Sequence, residues 1–262
     1  MANGYITDDG GEMGDTLAWR CKFGVITPST NTVVQPEYDD VRPPGVTNHV
    51  GRMHIPNNPM NNDADFDELI RCIDIALEAS VERVMTCQPD HFVLGISSES
   101  IWGGGLDKAA EIINRMRPLL GGIGVSQAAD ALPAALKALG VTGKISVVTP
   151  YFPVAEPHIQ RFASDIGFKV ARTHHMACKS PVLIAHVTEE QSRAALCKVD
   201  GDDVEAIIQF GANLPFARVA AEAERHLGKP VIAVNIATYW HALRAMGIDD
   251  RVQGHGRILL EN

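Results

Sequence analysis

The chain has 262 residues, 45% of them hydrophobic, and a formal net charge of −9. That length suits one large domain or two lobes of roughly 110 residues, with ample apolar material for a core. The acidic balance disfavours nucleic acid or any other polyanion as main partner, while a small anionic substrate stays compatible because the field in a cleft need not follow net charge.

Residues 1–18 carry Asp8, Asp9, Glu12 and Asp15 without an apolar stretch, which reads as a mobile polar leader and not a signal peptide. Cys21–Ile26 is a largely apolar run fit for a buried parallel strand, followed by the turn Thr27-Pro28-Ser29-Thr30-Asn31-Thr32. Residues 33–60 are rich in Pro and Asn, with a second strand expected near Asn48–Met53. Phe66, Leu69, Ile70, Ile73 and Leu77 set a helical period over 65–85, with Asp65 and Glu68 as the capping pair. A strand at His91–Leu94, a helix over 106–120, a short strand at Gly124–Val125 and a helix over 131–139 complete the first half.

The second half replays the scheme. A strand at Ile145–Val148 precedes Tyr151 and a helix over 156–166, and a strand over 168–172 precedes the loop His174–Ser180. A helix over 189–199, a strand at Ala206–Gln209, a helix over 216–227, a strand over 231–234 and a helix over 238–246 follow. Three matched segments recur in one order: Thr27-Pro28 with Thr149-Pro150, HFVLG ending at Gly95 with AIIQFG ending at Gly211, and Ala135–Val141 with Ala242–Ile248. Self-similarity of this kind means one unit used twice. The predicted fold class is α/β, with two pseudo-symmetric flavodoxin-like lobes, each a short parallel sheet flanked by helices. The first lobe is assigned to 19–122 and 232–262, the second to 123–231. Ligands of such sheets sit beyond the strands' carboxyl ends, so the matched loops should converge on a site between the lobes.

No window approaches the ~20 apolar residues of a membrane span. Cys21, Cys72, Cys87, Cys178 and Cys197 are scattered, without a C-x-x-C spacing, and read as reduced thiols of a cytoplasmic protein. The run Gly103–Gly105 lacks the residues of a P-loop or dinucleotide motif, and His174-His175 has no third ligand at a metal-site spacing, so neither cofactor nor metal is expected. His54 could reach the cleft as an acid, and Cys178 sits beside Lys179, which would lower a thiol pKa.

PSTNT at Pro28–Thr32, Gly95-Ile96-Ser97, VVTPY ending at Tyr151, Gly211-Ala212-Asn213-Leu214 and KPVIAVNIATYWHALRAMGI at Lys229–Ile248 resemble the aspartate/glutamate racemase superfamily, in its maleate cis-trans isomerase and arylmalonate decarboxylase branch. The resemblance implies a cofactor-free enzyme of a small carboxylic acid, and a homo-oligomer. It places the family's two cysteines at Gly95 and Gly211, neither of which can donate a proton; the glycines serve either tight turning and close packing of the backbone or room for a substrate or another acid. It makes Asn31 and Tyr151 contacts to substrate carboxylate, and Gly95, Ile96, Ser98, Gly211, Ala212, Asn213 and Lys179 part of its cradle. Tyr151, Ser97 and Cys178 are the candidate catalytic groups. The expected reaction is decarboxylase-like, through an enediolate held by backbone amides. The rivals are a maleate-type isomerase served by Cys178 or another base and a non-catalytic dicarboxylate-binding protein.

Overall fold

The computed structural model describes residues 14–60, 62–98 and 105–262. Strand β1 (Cys21–Pro28) is central in a parallel sheet with β2 (Val46–Met53) on one side and β3 (His91–Leu94) on the other, and β4 (Gly124–Ser126) extends beyond β3. In the second sheet β5 (Ile145–Thr149) lies between β6 (Val170–His175) and β7 (Ala206–Gln209), with β8 (Val231–Ala233) at the edge. The orders β2-β1-β3-β4 and β6-β5-β7-β8 are the same order twice. The matched sequence segments fall on matched elements: Thr27-Pro28 closes β1 and Thr149 closes β5, and HFVL and AIIQ are β3 and β7.

Burial explains why these runs are strands. Every residue of β3, β5 and β7 is buried, as expected of strands covered on both faces, and the polar members His91, Ser146, Thr149 and Gln209 are buried with their apolar neighbours. The connecting helices are α1 (Val34–Val41), α2 (Asp63–Met85), α3 (Leu106–Leu120), α4 (Ala128–Ala138), α5 (Glu156–Asp165), α6 (Pro181–Ile184), α7 (Glu189–Val199), α8 (Ala217–Leu227), α9 (Val234–Ala245) and α10 (Arg257–Glu261). Helix α9 leaves the second sheet yet packs on α4 and against β3 and β4 of the first. Its Tyr239 meets Phe23 edge-on, 5.4 Å between ring centroids, and donates to Asn48 Oδ1 at 3.0 Å. One core of buried side chains therefore runs through both lobes.

Several expectations change. The first thirteen residues of the leader lie outside the described residues, as do Gly103 and Gly104 of the glycine run. Sheet membership moves each lobe boundary by one strand, because Gly124–Ser126 pairs with β3 and Val231–Ala233 with β7. Helix α2 is capped by Asn62, whose side chain accepts from Asp65 N; Glu68 instead pairs with Arg71. Residues 34–41 form a helix the composition did not announce, and β6 extends through His174 and His175.

Candidate active site

The loops after β1, β3, β5 and β7 meet at the carboxyl ends of both sheets, around a cavity of about 40 Å³. Its wall is formed by Thr30, Asn31, Gly95, Ile96, Ser97 and Ser98 of the first lobe and Tyr151, Ala212 and Asn213 of the second. Ile55, Leu69, Ile73, Pro181 and Ile184 supply apolar surface that sequence reasoning had not singled out. Their signal is a spacing of apolar residues no different from that of core positions. Among the described residues that line it there is no cysteine, no acidic and no basic side chain.

Asn31, Ser97 and Asn213 are held by identifiable contacts. Asn31 Oδ1 accepts from the amides of Val33 and Val34, both at 2.9 Å, so it caps the start of α1. That fixes the amide orientation, and among the described residues Nδ2 has no partner, leaving an N–H donor at the cavity. Capping and ligand contact are thus compatible in one side chain. Arg52, which sequence reasoning missed, donates to the Asn31 carbonyl at 2.7 Å. Tyr151 is buried and meets Phe66 edge-on at 5.1 Å.

The lobes are tied to each other across the cavity by hydrogen bonds. Ser97 Oγ accepts from the amides of Gly211 and Ala212, both at 3.1 Å. Asn213 accepts from Thr32 N at 2.9 Å and donates to the Pro181 carbonyl at 2.8 Å, so its amide serves as a clasp. Asn57 Oδ1 accepts from Val182 N, and the Lys179 carbonyl accepts from Met60 N. On the far side of α1, Glu37 accepts from the amides of Phe216 and Ala217 at the start of α8 and from Asn235 Nδ2, which also donates to the Ala212 carbonyl. Burial raises the Glu37 carboxyl above its ordinary range, against the lowering effect of these donors.

The glycines at the expected cysteine positions do not open space. A Cβ on Gly95 would stand 2.6 Å from Val34 Cγ1, so α1 already fills that position. Gly211 has φ +108°, and a Cβ there would stand 2.4 Å from Pro150 Cγ. The Gly95 amide is spent on the Ile26 carbonyl, and those of Gly211 and Ala212 on Ser97. The second cradle thus reaches the cavity through the Ser97 hydroxyl.

Cys178 and Lys179 are placed elsewhere. Neither lines the cavity, and Lys179 is exposed. Burial pushes the Cys178 thiol up to about 11, the reverse of the lowering expected from a lysine neighbour. His54 is exposed and also off the cavity wall. No group of three or more His, Cys, Asp or Glu that could hold a metal occurs among the described residues, and none of the described helices is long and apolar enough to cross a membrane.

The fold has counterparts. The chain is 24% identical over 250 residues to a maleate isomerase of Alcaligenes faecalis, an alignment covering 91% of this chain and 96% of the relative. It superposes on the maleate cis-trans isomerase of Nocardia farcinica with a TM-score of 0.79 at 22% identity, covering 91% and 97% of the two chains. On an arylmalonate decarboxylase the TM-score is 0.71 at 19% identity, covering 91% and 98%. These structural likenesses concern the fold. Residues 93–259 match the family model of arylmalonate decarboxylase, and the chain belongs to that family.

Proposed function

We propose that the protein is a cofactor-free lyase that removes CO2 from a small malonate-type acid through an enediolate. The observation that carries this reading is the make-up of the wall of the inter-lobe cavity. Neutral polar groups of Asn31 and the serine loop share it with aliphatic side chains, and the described lining holds no thiol.

The chemistry follows from that make-up. A carboxylate held among the donors stays ionised, while a second one pressed against Ile55, Leu69, Ile73 and Ile184 is poorly solvated. Departure as neutral CO2 relieves that penalty and places the bonding pair on the remaining carboxylate as an enediolate. Fixed donors aimed at the growing negative charge stabilise it, typically by ~3–4 kcal/mol each. Asn31 Nδ2 and Tyr151 are assigned to this binding role, with Ser97 and Ser98 beside them. Ile96 and Ala212 shape the wall.

Maleate isomerisation is the reaction named for the sequence relatives, and in this superfamily it uses a thiol that adds to the double bond. With glycines at 95 and 211 and Cys178 off the cavity, that route has no nucleophile here among the described lining residues. The test is incubation with dimethylmalonate, methyl(phenyl)malonate and maleate, following CO2 and proton NMR. Release of CO2 from a malonate is the predicted result. Fumarate formation from maleate, or tight diacid binding without turnover, would contradict it.

A further inference from the structure

Ser97 carries an unusual set of contacts. Its hydroxyl oxygen accepts two main-chain N–H bonds from the opposite lobe, from Gly211 and Ala212 at 3.1 Å each, and the residue is 2% exposed. A serine oxygen has two lone pairs and one proton. With both lone pairs engaged by amides, the proton is the only valence left to point elsewhere, and Ser97 lines the cavity. Two N–H donors on one oxygen are the arrangement that stabilises an oxyanion.

We propose that Ser97 is the proton donor to the reacting carbon. The proposal rests on the decarboxylase reading above. Loss of CO2 breaks a C–C bond and leaves its electron pair in the enediolate. The new C–H bond forms with the proton of Ser97, and the O–H pair stays on Oγ as an alkoxide held by the amides of Gly211 and Ala212. Water entering after product departure returns a proton to Oγ and leaves as hydroxide, which the released CO2 consumes as bicarbonate. An enediolate is a much stronger base than an alkoxide, so the donor needs no pKa near neutrality; the amides make the transfer easier still. A hydroxyl from the first lobe thereby does at the Gly211 position what no side chain on Gly211 can do, given its φ of +108° and its contact with Pro150.

The experiment compares the full-length protein with Ser97→Ala, Ser97→Thr and Ser97→Cys on dimethylmalonate and methyl(phenyl)malonate. CO2 release and deuterium at C2 of the product are followed in D2O. Ser97→Ala is expected to lose 10²–10⁴-fold in kcat, the usual contribution of a positioned acid. Ser97→Cys is expected to regain activity with a new alkaline limb absent from the wild type. That limb should fall below the ordinary thiol pKa of about 8.5, because the same two amides stabilise a thiolate. A merely structural tie would predict that Ser97→Cys and Ser97→Thr recover together, with the wild-type pH profile. That outcome, or Ser97→Ala within about threefold of wild type while the wild type turns over, overturns the assignment and leaves the decarboxylase reading standing. Absence of CO2 from the wild type on both malonates overturns both.

Discussion

Gly211 and Pro150 are packed so closely that a Cβ on the glycine would stand 2.4 Å from the proline Cγ. The backbone at Gly211 is also in the left-handed half of conformational space. Gly211→Cys, which would put a thiol where the superfamily carries one, is therefore predicted to cost about 2–4 kcal/mol, from backbone strain and overpacking together. Urea unfolding measures it. An unchanged midpoint would contradict the packing described at this turn.

Gly95→Cys meets a different obstacle, the methyl groups of Val34 at 2.6 and 3.2 Å. The overlap involves a short side chain and not backbone, so Val34→Ala should relieve it. A double-mutant cycle is predicted to show favourable coupling of about 1–2 kcal/mol between the two substitutions. Additive effects would mean that Val34 is not what excludes the side chain.

Glu37 links the lobes behind the cavity, and its removal leaves the amides of Phe216 and Ala217 and the Asn235 amide without their acceptor. Glu37→Ala is expected to cost about 2–4 kcal/mol, since unpaired buried donors lose their full desolvation. Glu37→Gln keeps an acceptor for the two amides but sets its own NH2 against Asn235, so about half that loss is expected. Because Asn235 also holds the Ala212 carbonyl, kcat should fall in parallel with stability. Stability loss with kcat unchanged would separate this contact from the site.

A pH dependence is built in at the far end of the first sheet. His91 and His241 are bridged by the buried Ser126 hydroxyl, at 2.9 and 2.7 Å. Burial, with His241 adding to it, pushes the His91 imidazole down to about 4. Burial also lowers His241, opposed by Asp130. The folded pKa of His91 lies below its unfolded value of about 6.5, so the unfolded chain binds the extra proton first. Its contribution is complete above about pH 6.5 and is lost as pH falls toward 4, by roughly 3 kcal/mol. His91→Asn should flatten that limb of the stability profile, and a profile unchanged by the substitution would contradict the assignment.

Cys178 should be inert. A thiol pushed up to about 11 by burial is almost wholly protonated near neutrality. Slow alkylation by iodoacetamide at pH 7.5 and Cys178→Ser activity within about threefold of wild type are the expected results. Rapid labelling with loss of turnover would revive the thiol-adduct isomerase.

The repeat was legible because matched buried strands keep matched apolar runs, and their ends place Asn31, Gly95, Tyr151 and Gly211 without further information. What the chain order concealed were contacts between residues far apart. Asn213 looks like a ligand contact in its motif, but Thr32 N and the Pro181 carbonyl occupy its amide. At Gly95 and Gly211 the sequence left close packing and an opening equally open, since nothing local shows that Val34 and Pro150 fill the space. Helix α1 was hidden by Pro36 and its acidic residues, although it buries Val34, Tyr38 and Val41 at helical spacing. The apolar half of the cavity draws on β2–α2 and α6, and only packing brings those segments together.

The most direct test of an enediolate held between the lobes is the rate of CO2 release from dimethylmalonate in D2O by the wild type and by Asn31→Ala combined with Tyr151→Phe. The account predicts isobutyrate carrying one deuterium at C2, and a fall of about 10³-fold or more in the double variant, compared below its Tm, which drops because Asn31→Ala uncaps α1. Equal rates in the two proteins would contradict it.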